Sequence, residues 1–229
     1  MGELILCSHP IAAMPYYIDN ISLNVYSLEE LCYYIENHLY LIEADFMSEE
    51  LCLWIGQELD EKDLAQSLRS VLLGNGSLSD FTELILRSCG YCSEDTIRHI
   101  RSVLLDMQNK SVFECSKIRA DRYMESEKYV KAIHEYRKLL GMEEECKKNP
   151  VLEGNIRHNL GTACAELFLF GEAAANFLNA YRLNQNRESL AACMAACRLA
   201  KKTDILKKYK EEFHVSDEAF KSMSDQWNS

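Results

Sequence analysis

Apolar residues recur with a helical period along most of this chain. The first clean stripe follows Ser27: Leu28, Leu31, Cys32, Ile35 and Leu39 fall at i, i+3, i+4, i+7 and i+11, and Tyr33 and Tyr34 are expected to widen it. Ser27-Leu-Glu-Glu30 has the form of a capping box. A second stripe runs from Ser48 to about Leu59, with Leu51, Trp54 and Ile55 inward. A third, from near Asp60, carries Leu64, Leu68, Val71 and Leu72. Gly74-Asn-Gly-Ser77 breaks the pattern as a turn. A fourth helix is expected after Ser79, with Phe81, Leu84 and Ile85, and a fifth after Ser93, with Ile97, Ile100, Leu104 and Met107. Before Ser27 the pattern is short and broken: Leu4–Cys7, Tyr16–Ile18 and Leu23–Tyr26 read as extended pieces or helix starts.

The second half turns on small residues. Leu160, Gly161 and Cys164 share one helix face, and Ala173, Phe177 and Ala180 share another. Gly161 and Ala173 allow two helix backbones to approach closely, and Phe177 fills the space beside them. Phe170-Gly171-Glu172 is the expected turn. Upstream, Ala120, Tyr123, Tyr129, Ala132 and Tyr136 repeat the spacing, 41 residues before the second copy. The extra length falls in Gly141–Asn149, after which Asn149-Pro150 restarts a helix as N-cap and first helical position. A third unit is expected from near Glu188, with Met194, Ala195 and Leu199 in its stripe and Lys207 where a small residue would stand. Lys201, Lys202, Lys207, Lys208 and Lys210 would form its polar outer face.

This pattern resembles the tetratricopeptide repeat, a helix-turn-helix unit of about 34 residues. Gly161, Phe170, Ala173, Phe177 and Ala180 match its eighth, seventeenth, twentieth, twenty-fourth and twenty-seventh positions. The usual proline near the end is replaced by Gln185, and the seventh position of the upstream copy is Arg119. The resemblance implies an all-α fold: an N-terminal helical bundle, a short α-α superhelix, and a C-terminal capping helix placed at Val215–Phe220.

Ligands of such repeats usually meet fixed positions of the first helix. Carried over, these include Lys117, Asp121 and Met124 in one copy and Asn155, His158, Thr162 and Glu166 in the next. Some relatives clamp a C-terminal carboxylate with a lysine and an asparagine. Lys117 matches that lysine, and Asp121 stands where the asparagine would be. The implied function is a non-enzymatic scaffold that binds a protein or peptide. The alternative is a peptide-sensing regulator without a DNA-binding domain of its own.

Charge divides the chain at the same place as the pattern. Residues 1–110 hold 6 Lys+Arg and 18 Asp+Glu, and residues 111–229 hold 19 and 18. Two domains, 1–110 and 111–229, are therefore expected. The acidic first half argues against a nucleic-acid partner. No apolar run is long enough for a membrane span.

Ten cysteines without a recognisable secretion signal point to reduced thiols in a cytoplasm. Cys32, Cys52, Cys164 and Cys193 sit at apolar helix positions, as small hydrophobes. Cys89-Gly-Tyr-Cys92 is the sharpest local motif. It could be a redox pair, half a zinc site, or packing at a helix end. The first two need a strand before it or two further ligands, so packing is the expectation. The six histidines form no metal-ligand pair, and no catalytic or nucleotide fingerprint is present. Neither a metal nor a cofactor is expected.

Overall fold

In a computed structural model the chain is mostly helical, and the structure describes residues 9–216 and 218. The contacts between residues divide it into a unit ending at Lys110 and another beginning at Ser111. Among the described residues no helix is long and apolar enough to cross a membrane. Leu4–Cys7 and Trp227 lie outside the described residues, as does half of Val215–Phe220.

The first unit opens with a small antiparallel hairpin, β1 (Tyr16–Ile18) and β2 (Leu23–Val25), with Tyr17 opposite Asn24. The segment before it is held by backbone and side-chain bonds. Ala12 N–H donates to the Tyr26 carbonyl at 2.7 Å, and the Trp54 indole N–H to the Met14 carbonyl at 2.8 Å. Five helices follow: α1 (Leu28–Asn37), α2 (Glu49–Gln57), α3 (Lys62–Leu73), α4 (Leu78–Cys89) and α5 (Glu94–Gln108). Short 3-10 turns at Leu39–Leu41 and Ala44–Phe46 link the first two. Sequential helices pack on one another from α2 to α5, and α1 packs on α4. Leu28, Leu31, Ile35, Leu51, Ile55, Leu68, Phe81 and Ile85 are fully buried between them.

Three details differ from the sequence reading. Ser77, not Ser79, caps α4, in a capping box with Asp80, and Ser79 is buried inside the first turn. Leu86 rather than Leu84 completes the buried face of α4. Tyr34 is buried but Tyr33 is 54% exposed, because Tyr34 follows Leu31 by three residues on the buried face while Tyr33 falls on the opposite side of the helix. At α1 the Ser27 side chain accepts the Glu30 N–H, while the Glu30 carboxylate takes the Tyr26 N–H, one residue before the cap.

The second unit contains α6 (Val112–Glu125), α7 (Tyr129–Gly141), α8 (Glu143–Lys148), α9 (Pro150–Glu166), α10 (Phe170–Asn184), α11 (Arg187–Leu199) and α12 (Thr203–Glu212). Packing is between neighbours: α6 on α7, α7 on α9, α9 on α10, α10 on α11, α11 on α12. One turn geometry recurs. Glu127, Phe168 and Lys201 have φ of 58°, 60° and 56°. The residue after each donates its N–H back to the preceding helix, to Tyr123, Cys164 and Cys197, at 2.8, 2.8 and 2.9 Å. A left-handed residue with this return bond is the Schellman way of ending a helix. The three pairs α6/α7, α9/α10 and α11/α12 are thus joined alike, which gives the unit a helical, repeat-like organisation.

The shared turn sets the register. It lies at Leu167–Leu169, not at Phe170–Glu172, where α10 has already begun. Aligned on the turns, Leu206 rather than Lys207 stands with Ala132 and Ala173. The insertion before Pro150 is the short helix α8, which buries Cys146. Asn149 caps α9 through a bond from the Leu152 N–H, with Pro150 at the helix start. No residue of α12 is buried, so its lysines form an open polar face.

A candidate ligand cavity on the second unit

The close approach expected at Gly161 is present. A Cβ placed there would lie 2.8 Å from the Phe177 ring. Ala173 and Ala180 are fully buried, and α9 and α10 lie against each other over this contact. Gly154 does the same one layer away, where an added Cβ would meet Asn184 at 2.9 Å. With α10 drawn in against α9, Phe177 also contacts His158, ring centroids 5.2 Å apart.

Beside that contact a cavity of about 580 Å³ opens between α9, α10 and α11. Its α9 wall is His158, Thr162, Ala165 and Glu166. Phe170 and Phe177 come from α10, and Glu188, Ala192, Ala195, Ala196 and Leu199 from α11. Small side chains on α11 create the space, and aromatic rings on α10 line it. Its edge is apolar too: Leu199 is 54% exposed, and Phe168, 79% exposed, packs edge-on against Phe170. Phe168 is presented there by the left-handed turn residue that joins α9 to α10.

Two groups give the cavity polarity. His158 Nδ1 lies 2.9 Å from the hydroxyl of Ser189, which is fully buried on α11. Burial holds the His158 imidazole below its ordinary pKa, against an opposing pull from Glu188. The ring is therefore favoured neutral, able to donate or accept one hydrogen bond at its free nitrogen. Glu166 and Glu188 are exposed carboxylates at the margin.

Of the sequence-derived groove residues, His158, Thr162 and Glu166 come together here. Thr162 donates its hydroxyl to the His158 carbonyl at 3.2 Å. The other four do not line this cavity. Lys117 and Asp121 pair with each other at 2.6 Å. Asp121 also accepts from the Tyr136 hydroxyl at 2.7 Å, with Asn159 completing the network. Met124 is half-buried on α6. Asn155 accepts from the Asn184 side chain at 3.0 Å. The wall from α11 was not anticipated as a site. Its only signal in the sequence is the run of small residues Ala191, Ala192, Ala195 and Ala196, which reads equally well as packing.

No protein-family model, curated protein or solved structure matches the chain.

Proposed function

We propose that the second unit is a tetratricopeptide-like, non-enzymatic scaffold that binds an extended peptide or a partner helix in the cavity between α9, α10 and α11. The observation that carries this reading is the apolar cavity with an exposed apolar edge, Phe168 and Leu199, and convergent polar groups at His158, Glu166 and Glu188. Ligand sites are typically concave, mostly apolar, and fixed in orientation by a few polar groups. An anchoring Leu, Met or Phe side chain would fill the space over Phe177 and Ala192. A flanking Lys or Arg would meet Glu166 or Glu188. His158 would take one backbone or side-chain hydrogen bond of the ligand.

A random-peptide display on the full chain tests this. Selected sequences should share an apolar anchor with a basic neighbour. Ala165→Trp, which fills the cavity from a half-exposed position, should abolish their binding, while Lys117→Glu should leave it intact. Selected peptides that bind the Ala165→Trp chain as well as the parent would contradict the reading.

A further inference from the structure

The first unit contains a side-chain cluster unconnected with the cavity. His9, from the segment before the hairpin, Glu29, in the first turn of α1, and Cys89, the last residue of α4, converge there. One ligand-type atom of each lies within 4.8 Å of the other two. Glu29 Oε1 is 2.9 Å from His9 Nδ1 and also accepts the His9 backbone N–H at 3.2 Å. Glu29 is only 6% exposed, although first-turn carboxylates ordinarily face water, and Cys89 is 9% exposed. Gly90, at φ 65°, ends α4 in a left-handed cap immediately after the thiol.

An imidazolium–carboxylate pair would account for two of the three groups and would leave the thiol only its Cys32 neighbour. Nor does the end of α4 favour a thiolate, because helix carbonyls point there. A divalent cation accounts for all three. Neutral imidazole, carboxylate and thiolate carry two negative charges in total, which such an ion neutralises in a site otherwise costly for buried charge. Mixed nitrogen, oxygen and sulfur donors select a zinc-class ion over magnesium or calcium. Zinc–ligand distances of about 2.0–2.3 Å would set tetrahedral ligand atoms roughly 3.3–3.6 Å apart, so the His9 and Glu29 atoms, 2.9 Å apart here, would separate slightly and the Cys89 sulfur, within 4.8 Å of both, would move in.

The surroundings fit as well. Glu61 Oε1 lies 4.0 Å from His9 Nε2, on the far side of the ring from Glu29. A carboxylate accepting from the second nitrogen commonly orients a metal-bound histidine, and Glu61 would have to close by about 1 Å to accept that N–H. Cys32, one turn after Glu29 on α1, lies against the Cys89 thiol as a hydrogen-bonding neighbour. Cys92, the other half of the C-x-x-C motif, is not in the cluster.

We propose that His9, Glu29 and Cys89 form a binding site for a zinc-class divalent cation, with Glu61 orienting the imidazole, and that the ion fastens the N-terminal segment to α1 and α4. This departs from the sequence-based expectation of a metal-free protein. That expectation rested on finding no second ligand pair near Cys89-x-x-Cys92, whereas the partners here are distant in sequence.

The test is titration of the untagged, chelator-treated full chain with Co²⁺ alone. The expected result is one equivalent bound, a sulfur-to-cobalt charge-transfer band with the strong visible bands of a tetrahedral site, and displacement by one equivalent of Zn²⁺. Cys89→Ser should remove the charge-transfer band and Cys92→Ser should retain it. Glu61→Gln should weaken binding about 10- to 100-fold while keeping the spectrum. Circular dichroism establishes that each variant is folded. A folded parent chain with no charge-transfer band would overturn the proposal. So would a band that survives Cys89→Ser, or one lost with Cys92→Ser alone.

Discussion

Gly161 and Phe177 are in contact through the one side chain that Gly161 lacks: a Cβ at 161 would sit 2.8 Å from Cδ1 and Cε1 of the Phe177 ring. The ring cannot simply turn away, since Cγ is only 3.1 Å from the same point. Its other neighbour is the His158 imidazole. The helix contact and the cavity therefore share a residue, so a change of packing at Gly161 acts on the cavity wall beside His158.

Gly161→Ala should destabilise the chain even though alanine gains about 1 kcal/mol in helix propensity over glycine. Gly161→Leu should cost more, roughly 1–3 kcal/mol net. Chemical denaturation measures both. Combining Gly161→Ala with Phe177→Leu should recover part of the loss, because the smaller side chain gives the new methyl room. Strictly additive effects would show that the two residues do not meet.

The buried polar network gives a second prediction. Tyr136 is fully buried, and its hydroxyl donates to Asp121 at 2.7 Å. Burial, reinforced by Asp121, holds the phenol protonated far above its ordinary range, so it acts as a donor at all working pH values. Tyr136→Phe removes one bond to a charged acceptor and should cost about 1.5–3 kcal/mol. The value should fall toward the lower end, because Asp121 is partly exposed and retains Lys117. An unchanged denaturation midpoint would contradict it.

A third prediction concerns pH. The folded-state pKa of His158 lies below its ordinary value of 6.5, mainly through burial. Below pH 6.5 the unfolded chain takes up a proton at this position before the folded chain does. This contribution to stability is therefore intact above that pH and is lost as pH falls toward the lower, folded-state value. Relative to His158→Gln, the parent chain should lose stability on acidification through this window. Comparing the two at each pH cancels the other titrating groups, including His9, whose pKa shifts the opposite way through its bond with Glu29. A constant difference between parent and variant from pH 7 to 5 would contradict the assignment.

Much of the helical pattern could be read from residues because the signals are local. The caps at Ser48, Ser93 and Asn149 and the short extended pieces at Tyr16–Ile18 and Leu23–Val25 depend on neighbours in sequence. So does the pairing of α9 with α10, where Gly161 and Ala173 signal a close approach. What escaped depends on less regular chemistry. α8 is Glu-Glu-Glu-Cys-Lys-Lys, with a single buried residue and no apolar stripe to announce it. The turn at Phe168 places a bulky aromatic at positive φ, where glycine or asparagine would be expected, so the boundary was read three residues late.

The candidate sites divide in the same way. His158, Thr162 and Glu166 share a face of one helix and could be found by register. The α11 wall of the cavity needs tertiary structure, because alanines at a helix contact and alanines around a cavity look the same in sequence. His9, Glu29 and Cys89 are separated by 20 and 60 residues. Only the docking of the N-terminal segment and of α4 beside α1 brings them together.

The central claim, that a ligand seats between α9, α10 and α11, is tested most directly by alanine-methyl NMR of the full chain during titration with a display-selected peptide. The cavity reading predicts saturable shifts at the methyls of Ala165, Ala192, Ala195 and Ala196, which line the space. It predicts none at Ala12, buried in the first unit, or at Ala132, buried at the α6–α7 level. Shifts confined to Ala12 and Ala65, with the four cavity methyls unmoved at saturation, would place the binding surface on the first unit and contradict the account.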